Sequence, residues 1–117
     1  MSTRTVLGAV AITVGALAST GTAAAQQDGC ERGEFCVWTG PSYTGARQVL
    51  DVETANPGSC VPLAAPARSF VNRLTRDVTV YQGPTCSTEA DFTTYPGHGT
   101  YVPDAPFVVR AVQVWQP

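Results

Sequence analysis

The segment Val37-Trp38-Thr39-Gly40-Pro41 returns 43 positions later in the chain as Val80-Tyr81-Gln82-Gly83-Pro84. Two further pairs of segments match at a similar offset: Ala65-Pro66 with Ala105-Pro106, and Arg68-Ser69-Phe70-Val71 with Arg110-Ala111-Val112-Gln113. Each copy begins with a short apolar strand and a Gly-Pro turn, and it ends with a strand after a long loop. The repeat therefore predicts two similar β units within one chain.

The composition and the short apolar runs favour an all-β fold. After residue 25 the chain has 12 Val but only 3 Leu, and its 9 Pro and 8 Gly interrupt every helix-length window. Short segments near Val61 and at Thr100–Val102 add a fourth strand to each unit. Two four-stranded units with long returns indicate paired Greek keys whose inner faces cover each other. The six main strands are predicted at Phe35–Trp38, Arg47–Asp51, Ser69–Leu74, Val78–Tyr81, Asp91–Tyr95 and Val108–Trp115.

The first 25 residues have the pattern of a secretory signal peptide. Arg4 precedes an apolar run of 14 residues, Thr5–Ala18, and Ala23-Ala24-Ala25 offers a small-residue cleavage site before Gln26. A membrane-spanning helix needs about 18 or more apolar residues. We therefore expect a signal peptide at residues 1–25, a single domain at residues 26–117 and a secreted, extracellular protein.

The charge balance of the expected mature chain excludes several kinds of partner. Removal of Arg4 leaves 6 Arg against 9 acidic residues, a net charge of −3, with no Lys. Binding to nucleic acid requires a basic face, and no basic amphipathic segment indicates a membrane surface. We expect a monomer that binds neither nucleic acid nor membrane and needs no cofactor.

Four cysteines in a short exported chain predict two disulfides, for which three pairings are possible. Cys30 and Cys36 flank five residues, including Gly33, and can close a local staple, which would leave Cys60 to pair with Cys86. The chain-entropy relation gives about 2.4 kcal/mol for the short loop and about 3.6 kcal/mol for the long one. A zinc site is the alternative, but none of these gaps has the two to four residues that zinc ligands favour. We expect no metal site.

The sequence offers little to support catalysis. Its single histidine, His98, stands between two glycines and is typical of an exposed turn. A catalytic base needs a nucleophile and an orienting partner within reach, and oxidised cysteines supply no thiolate. The chain is not expected to be an enzyme.

Ordered motifs in the chain resemble two known groups of proteins. Trp38, Tyr43 and Gly45 have the spacing of the folded-hairpin motif of βγ-crystallin Greek keys, in which the aromatic ring packs over the hairpin. Four stretches resemble the secreted Streptomyces-type metalloproteinase inhibitor family. They are the Cys30–Cys36 staple with Gly33, Trp38-Thr39-Gly40 with Thr44-Gly45-Ala46-Arg47, the run Ala65-Pro66-Ala67-Arg68-Ser69-Phe70-Val71-Asn72, and Tyr81-Gln82-Gly83-Pro84-Thr85-Cys86.

This resemblance implies a βγ-crystallin-like double Greek-key sandwich that forms a single disulfide-stapled domain and inhibits thermolysin-like zinc proteases. The inhibitory region would be the loop between the strands Val78–Tyr81 and Asp91–Tyr95. A bridge from Cys60 would anchor this loop and limit the entropy lost on binding. The candidate inhibitory residues are Pro84, Thr85, Cys86 and Ser87, with Cys86–Ser87 as the candidate reactive bond.

Two features differ from the family pattern. The familiar inhibitor has a second, local disulfide in this loop, whereas no cysteine follows Cys86 here and Cys60 lies in the first half instead. Thermolysin-like enzymes favour a bulky apolar residue after the cut, a position that Ser87 occupies. The alternative interpretation of the loop is an ordinary disulfide-pinned hairpin connection.

A second hypothesis is a non-inhibitory, crystallin-like extracellular module that binds cell-wall or surface ligands. Tyr43, Tyr95 and Tyr101 would then supply stacking surfaces, although core or hairpin packing is the alternative for each. Calcium, which many microbial crystallin-like domains bind, requires oxygen ligands. Ala64 and Ala65 occupy the positions where that motif has Asx residues, so we expect no calcium site.

Overall fold

The computed structural model describes residues 29–117, and the signal peptide predicted at residues 1–25 lies outside this range. The described residues form eight β-strands and no α-helix, which confirms the all-β prediction. This part of the chain has no helix with the length and apolar character needed to cross a membrane. The strands are β1 (Phe35–Trp38), β2 (Arg47–Leu50), β3 (Cys60–Ala67), β4 (Ser69–Asn72), β5 (Val78–Tyr81), β6 (Phe92–Tyr95), β7 (Thr100–Val102) and β8 (Val109–Val114).

The strands pair into two four-stranded antiparallel sheets, with the orders β2-β1-β4-β7 and β3-β8-β5-β6. Each half of the chain gives its first, second and fourth strands to one sheet and its third strand to the other. The segments predicted near Val61 and at Thr100–Val102 are these third strands. They therefore complete the sheet of the opposite half, and neither sheet is complete without both halves of the repeat.

Strand β3 is where the observed strands differ most from the sequence prediction. It runs for eight residues and includes Pro62 and Pro66, which are typical of loops. Both prolines are tolerated because β3 is an edge strand that pairs on one side only. A residue without a backbone N–H therefore costs few hydrogen bonds with a neighbouring strand. Its pairing with β8 also shifts register between Pro62 and Ala67. Prolines and a register shift are features that discourage an edge strand from pairing with another chain.

The main core lies between the two sheets. The rings of Phe35 and Phe70 lie 5.7 Å apart, and Tyr95 contacts Phe70 edge-on at 5.1 Å. β-Branched side chains suit the pleated inner faces, and full burial of each contributes roughly 1.5–3 kcal/mol. The valines of this core are Val37, Val78, Val80, Val109, Val112 and Val114.

The outward faces of the two sheets differ in how far the chain covers them. The first sheet carries a second buried cluster on its outward face, formed by Cys30, Cys36, Trp38, Tyr43 and Val71. The second sheet instead presents Phe92 and Trp115, which are 47% and 38% exposed. The two halves of the repeat are therefore similar in backbone but not in the surface that they present.

A tight backbone contact joins the β4–β5 connection to the β6–β7 turn. A Cβ atom at Gly97 would lie against the Leu74 carbonyl oxygen and 2.8 Å from the backbone N of Arg76. Because backbone atoms cannot move aside as a side chain can, we expect Gly97→Ala to lower the free energy of unfolding by about 2–4 kcal/mol. Urea unfolding measures the change. In the control, Gly83→Ala, the nearest atom would be Ser87 Cβ at 3.6 Å, and equal midpoints for the two variants would contradict the expectation.

Candidate functional site in the second hairpin

The first hairpin, residues 39–46, is locked onto its own sheet by side chains. The rings of Trp38 and Tyr43 meet edge to face, with centroids 5.1 Å apart. The Tyr43 N–H donates to Ser69 Oγ at 2.9 Å, and the Ser69 hydroxyl donates to the Gly40 carbonyl at 2.7 Å. Because Ser69 is fully buried on β4, one hydroxyl group fixes the hairpin to the sheet.

Gly45 completes this first hairpin. It has a φ of 85°, a conformation that favours glycine. A Cβ atom there would meet the Thr39 side chain and lie 3.1 Å from the Gly40 nitrogen. The aromatic contact and the glycine conformation are those that the spacing of Trp38, Tyr43 and Gly45 predicts.

The second hairpin, residues 82–91, shares one left-handed position with the first hairpin but differs in its side chains. At the repeat offset of 43, Cys86 stands where the first hairpin has Tyr43, and their φ angles are 58° and 61°. Ala111 replaces Ser69 at the offset of 42 and has no hydroxyl group to bind the hairpin. The second hairpin therefore needs another attachment to its sheet.

A disulfide supplies this attachment. The structure pairs Cys60 with Cys86, at a Cα–Cα distance of 5.9 Å, and Cys30 with Cys36. Cys60 begins the edge strand β3, and the sulfur of Cys86 lies 3.7 Å from the Val112 carbonyl oxygen of β8. The bond thus ties the hairpin to β3 and places its sulfur against β8. Cys60 is exposed, whereas the sulfurs of the other disulfide belong to buried residues.

The four candidate inhibitory residues follow one another at the start of the second hairpin, the first two exposed and the next two half-buried: Pro84, Thr85, Cys86 and Ser87. The Gln82 N–H donates to the Asp91 carbonyl at 2.9 Å and closes the base of the hairpin. The Arg110 guanidinium donates to the Gln82 carbonyl at 3.3 Å. The base of the hairpin below the exposed tip is thus held by one hydrogen bond across the hairpin and one from Arg110 of β8.

The candidate bond Cys86–Ser87 does not lie in extended backbone. The φ of 58° turns the chain at Cys86, and the Ser87 hydroxyl oxygen accepts the Glu89 N–H at 3.1 Å. The disulfide holds only the amino-terminal side of this bond. The carboxyl-terminal side is held separately by the pairing of β6 with β5, so both sides of the bond are attached to the second sheet.

The other reactive groups considered from the sequence are the single histidine and the cysteines. His98 is exposed in the β6–β7 turn, with a φ of 67°. Within residues 29–117, one group has the spacing of metal ligands: Cys30, Glu34 and Cys36. Both of its sulfurs belong to a disulfide, and none of the four cysteines is free. A disulfide sulfur is neither a thiolate ligand nor a nucleophile.

The three tyrosines proposed as stacking residues differ in their burial. Tyr43 packs on Trp38, and Tyr95 packs on Phe70. Burial raises the pKa of both phenols above the ordinary value for tyrosine. Only Tyr101 of the three presents its ring to solvent, with 47% of its surface exposed.

Two exposed aromatic residues of the second sheet, Phe92 and Trp115, are not among the functional residues predicted from the sequence. The Phe92 ring lies 5.9 Å from the ring of Tyr81, directly after the second hairpin. The Trp115 Nε1–H donates to Thr79 Oγ1 at 2.7 Å. The predicted strand Asp91–Tyr95 could have indicated the exposure of Phe92, because side chains alternate along a strand and Phe92 lies on the face opposite Tyr95.

A small disulfide-bonded β domain that presents a tethered, exposed loop is suited to act by contact with another protein. Residues 23–93, more than half of the chain, match peptidase inhibitor family I36. The chain belongs to this family, which is a family of protease inhibitors and not of enzymes. Searches of curated proteins and of solved structures return no significant match. The matched residues include the whole second hairpin and end within β6.

Proposed function

We propose that the chain is secreted after removal of residues 1–25 and that, as a monomer, it inhibits a thermolysin-like zinc metalloprotease with its second hairpin. The observation that carries this proposal is the Cys60–Cys86 disulfide, which fixes an exposed tip, Pro84 and Thr85, to the edge of the second sheet. Membership of a peptidase inhibitor family supports a protease as the partner.

The proposal includes a βγ-crystallin-like double Greek-key fold. Two features support it. The third strand of each half pairs in the sheet of the other half, and the first hairpin folds over its sheet through Trp38, Tyr43 and Gly45. In the second half Cys86 takes the position of the folded-over aromatic residue, so the disulfide replaces an aromatic contact that holds a hairpin in place.

The tether explains how a short loop can bind tightly. Ordering a flexible side chain on binding costs about 0.5–1.5 kcal/mol, and ordering the backbone adds to this. In the second hairpin the disulfide, the proline ring of Pro84 and the Gln82–Asp91 hydrogen bond impose this order before the protease is met. Most of the contact energy is then available for binding.

The attachment of both sides of the Cys86–Ser87 bond also supports inhibition. If a protease cut this bond, the new carboxyl end at Cys86 would stay linked to Cys60, and the new amino end at Ser87 would stay connected through the chain to β6. The product would keep the shape of the intact loop, so its release would be slow and religation would compete with it.

A panel of proteases tests the proposed target. Refolded residues 26–117, with both disulfides formed, are titrated into a thermolysin-like protease, a serine protease and a cysteine protease. We expect the activity of the metalloprotease alone to fall, with inhibition complete near a one-to-one ratio. Inhibition of another class would overturn the metalloprotease proposal, and no inhibition of any class at micromolar concentration would overturn the inhibitory function.

Phe92 extends the proposed protease contact beyond the hairpin tip, because it lies next to the hairpin and is 47% exposed. Aromatic residues often carry a large share of binding energy at protein interfaces. We expect Phe92→Ala to raise the inhibition constant about tenfold, equivalent to about 1.4 kcal/mol. The matched control is Tyr101→Ala, which removes an equally exposed ring from the first sheet. Equal losses from the two substitutions would argue against a contact at Phe92.

Of the three tyrosines considered for the alternative, a binding module for cell-wall or surface ligands, Tyr101 alone is exposed. Tyr101 lies on the outward face of the first sheet, opposite Val71 of β4. A pull-down with cell-wall polysaccharide that is lost in Tyr101→Ala, from a chain that inhibits no protease, would favour this alternative.

A further inference from the structure

A cleft lined by three basic side chains opens at the end of the sandwich opposite the second hairpin. Its walls come from the turn before β1, the β4–β5 connection and the β6–β7 turn. The residues that line it are Arg32, Gly33, Arg73, Thr75 and His98. None of them is acidic, although the whole chain has 9 acidic residues against 7 arginines and a net charge of −2.

The three segments around this cleft are fixed to one another by backbone hydrogen bonds. The Gly33 N–H donates to the Arg73 carbonyl at 2.8 Å, which joins the first turn to the β4–β5 connection. The His98 N–H donates to the Leu74 carbonyl at 2.7 Å and joins the β6–β7 turn to the same connection. The backbone positions of the basic residues are therefore fixed in the absence of a ligand.

A buried asparagine organises the same end of the molecule. Asn72 is fully buried at the end of β4, and its side-chain amide donates to the carbonyls of Arg76, Tyr95 and Pro96 at 3.0–3.3 Å. Its side-chain oxygen accepts the Leu74 N–H at 3.1 Å. One side chain thus holds two of the three segments, which keeps the cleft preorganised.

The arginine side chains that line the cleft have N–H donors that make no hydrogen bond within the described residues. Arg32 is exposed, and Arg73 uses one Nη to donate to the Cys30 carbonyl at 2.9 Å. A guanidinium group has five N–H donors in a planar fork that matches carboxylate and phosphate oxygens. His98, which is exposed on the opposite wall, adds a ring N–H. Like charges at one site repel each other, and an anion bound between them would remove that repulsion.

We propose that this cleft binds an oxyanion, a carboxylate or a phosphate group, between Arg32 and Arg73, with His98 as a third donor. This site is separate from the proposed inhibitory hairpin, because the length of β5 and β6 lies between them. The proposal therefore stands whether or not the chain inhibits a metalloprotease. The ligand would be an anionic group on a second partner or a small anion.

NMR titration of the folded, oxidised chain tests the site. Inorganic phosphate and succinate are added in separate experiments, with the ionic strength held constant by chloride. We expect saturable shifts at Arg32, Arg73 and His98, with a dissociation constant on the order of 1 mM for the preferred anion. The stronger of the two anions identifies the group that the cleft takes.

Two variants distinguish specific binding in the cleft from non-specific electrostatic attraction of anions to the protein surface. Arg32→Gln should weaken binding by about tenfold or more, because it removes a charge-assisted contact. Arg68→Gln makes the same charge change before β4, at the opposite end of the strand from Arg73, and should leave the dissociation constant within about twofold. His98→Gln gives a second test should Arg32→Gln disturb the turn. Shifts that stay linear to about 50 mM, or equal losses in the Arg32 and Arg68 variants, would overturn the proposal.

Discussion

Inhibition should fall about a hundredfold in the double variant Pro84→Ala, Thr85→Gly, while the unfolding midpoint changes little. Both residues are exposed, so the substitutions remove contacts and rigidity from the hairpin tip without opening the core. Lost contacts together with the entropy of a freer backbone account for a change of about 2.7 kcal/mol in binding. The inhibition constant against the protease that responds in the panel measures this effect.

The internal repeat provides a matched control for this double variant. Pro41 and Ser42 occupy the same two positions in the first hairpin, and both are exposed. The double variant Pro41→Ala, Ser42→Gly therefore makes the corresponding change in a hairpin that carries no proposed contact. It should inhibit as well as the unmodified chain. A comparable loss from both double variants would show that the second hairpin is not the inhibitory element.

Removal of the Cys60–Cys86 disulfide should abolish inhibition even in the molecules that remain folded. The double variant Cys60→Ser, Cys86→Ser cuts the covalent attachment of the second hairpin to β3. The stability cost is about 3.6 kcal/mol in the chain-entropy relation. The hairpin itself loses its anchor, and the alanine at position 111 offers no replacement hydrogen bond. We expect a folded fraction, measured by circular dichroism, that binds protease at least a hundredfold more weakly.

The other disulfide serves as the control for this effect. Cys30 and Cys36 are buried on the outward face of the first sheet, whereas the second hairpin belongs to the second sheet. The double variant Cys30→Ser, Cys36→Ser should lower the free energy of unfolding by about 2.4 kcal/mol or more. Its folded molecules should retain the inhibition constant of the unmodified chain. Retained inhibition without the Cys60–Cys86 bond would contradict the role of the tether.

The local parts of the fold could be predicted from the sequence because they depend on residues close together in the chain. The repeated Gly-Pro segments locate both hairpins, and the short apolar runs between turn residues place most strands within two residues of their observed ends. The partners of β3 and β7 could not be predicted, because the exchange between sheets depends on contacts distant in sequence. Strand β3 could not be predicted along its length either, because Pro62 and Pro66 are typical of loops and are compatible with a strand only at the edge of a sheet.

The residues of the candidate site come from the family resemblance, and their inhibitory role stays a prediction; their geometry could not be predicted. The family resemblance points to residues 84–87, and the structure puts them together at the start of one hairpin. The left-handed turn at Cys86 has no local signal, because that conformation favours glycine and a cysteine adopts it only when the fold imposes it. The exposure of Phe92 likewise depends on what the rest of the chain leaves uncovered.

Amide hydrogen exchange of the chain, alone and in complex with the inhibited protease, tests the central claim most directly. If the second hairpin is the inhibitory element, slowed exchange on binding will be concentrated at residues 85–90. The first hairpin, residues 42–46, will exchange at the same rate in both states. Slowed exchange at the first hairpin, with residues 85–90 unchanged, would contradict the account.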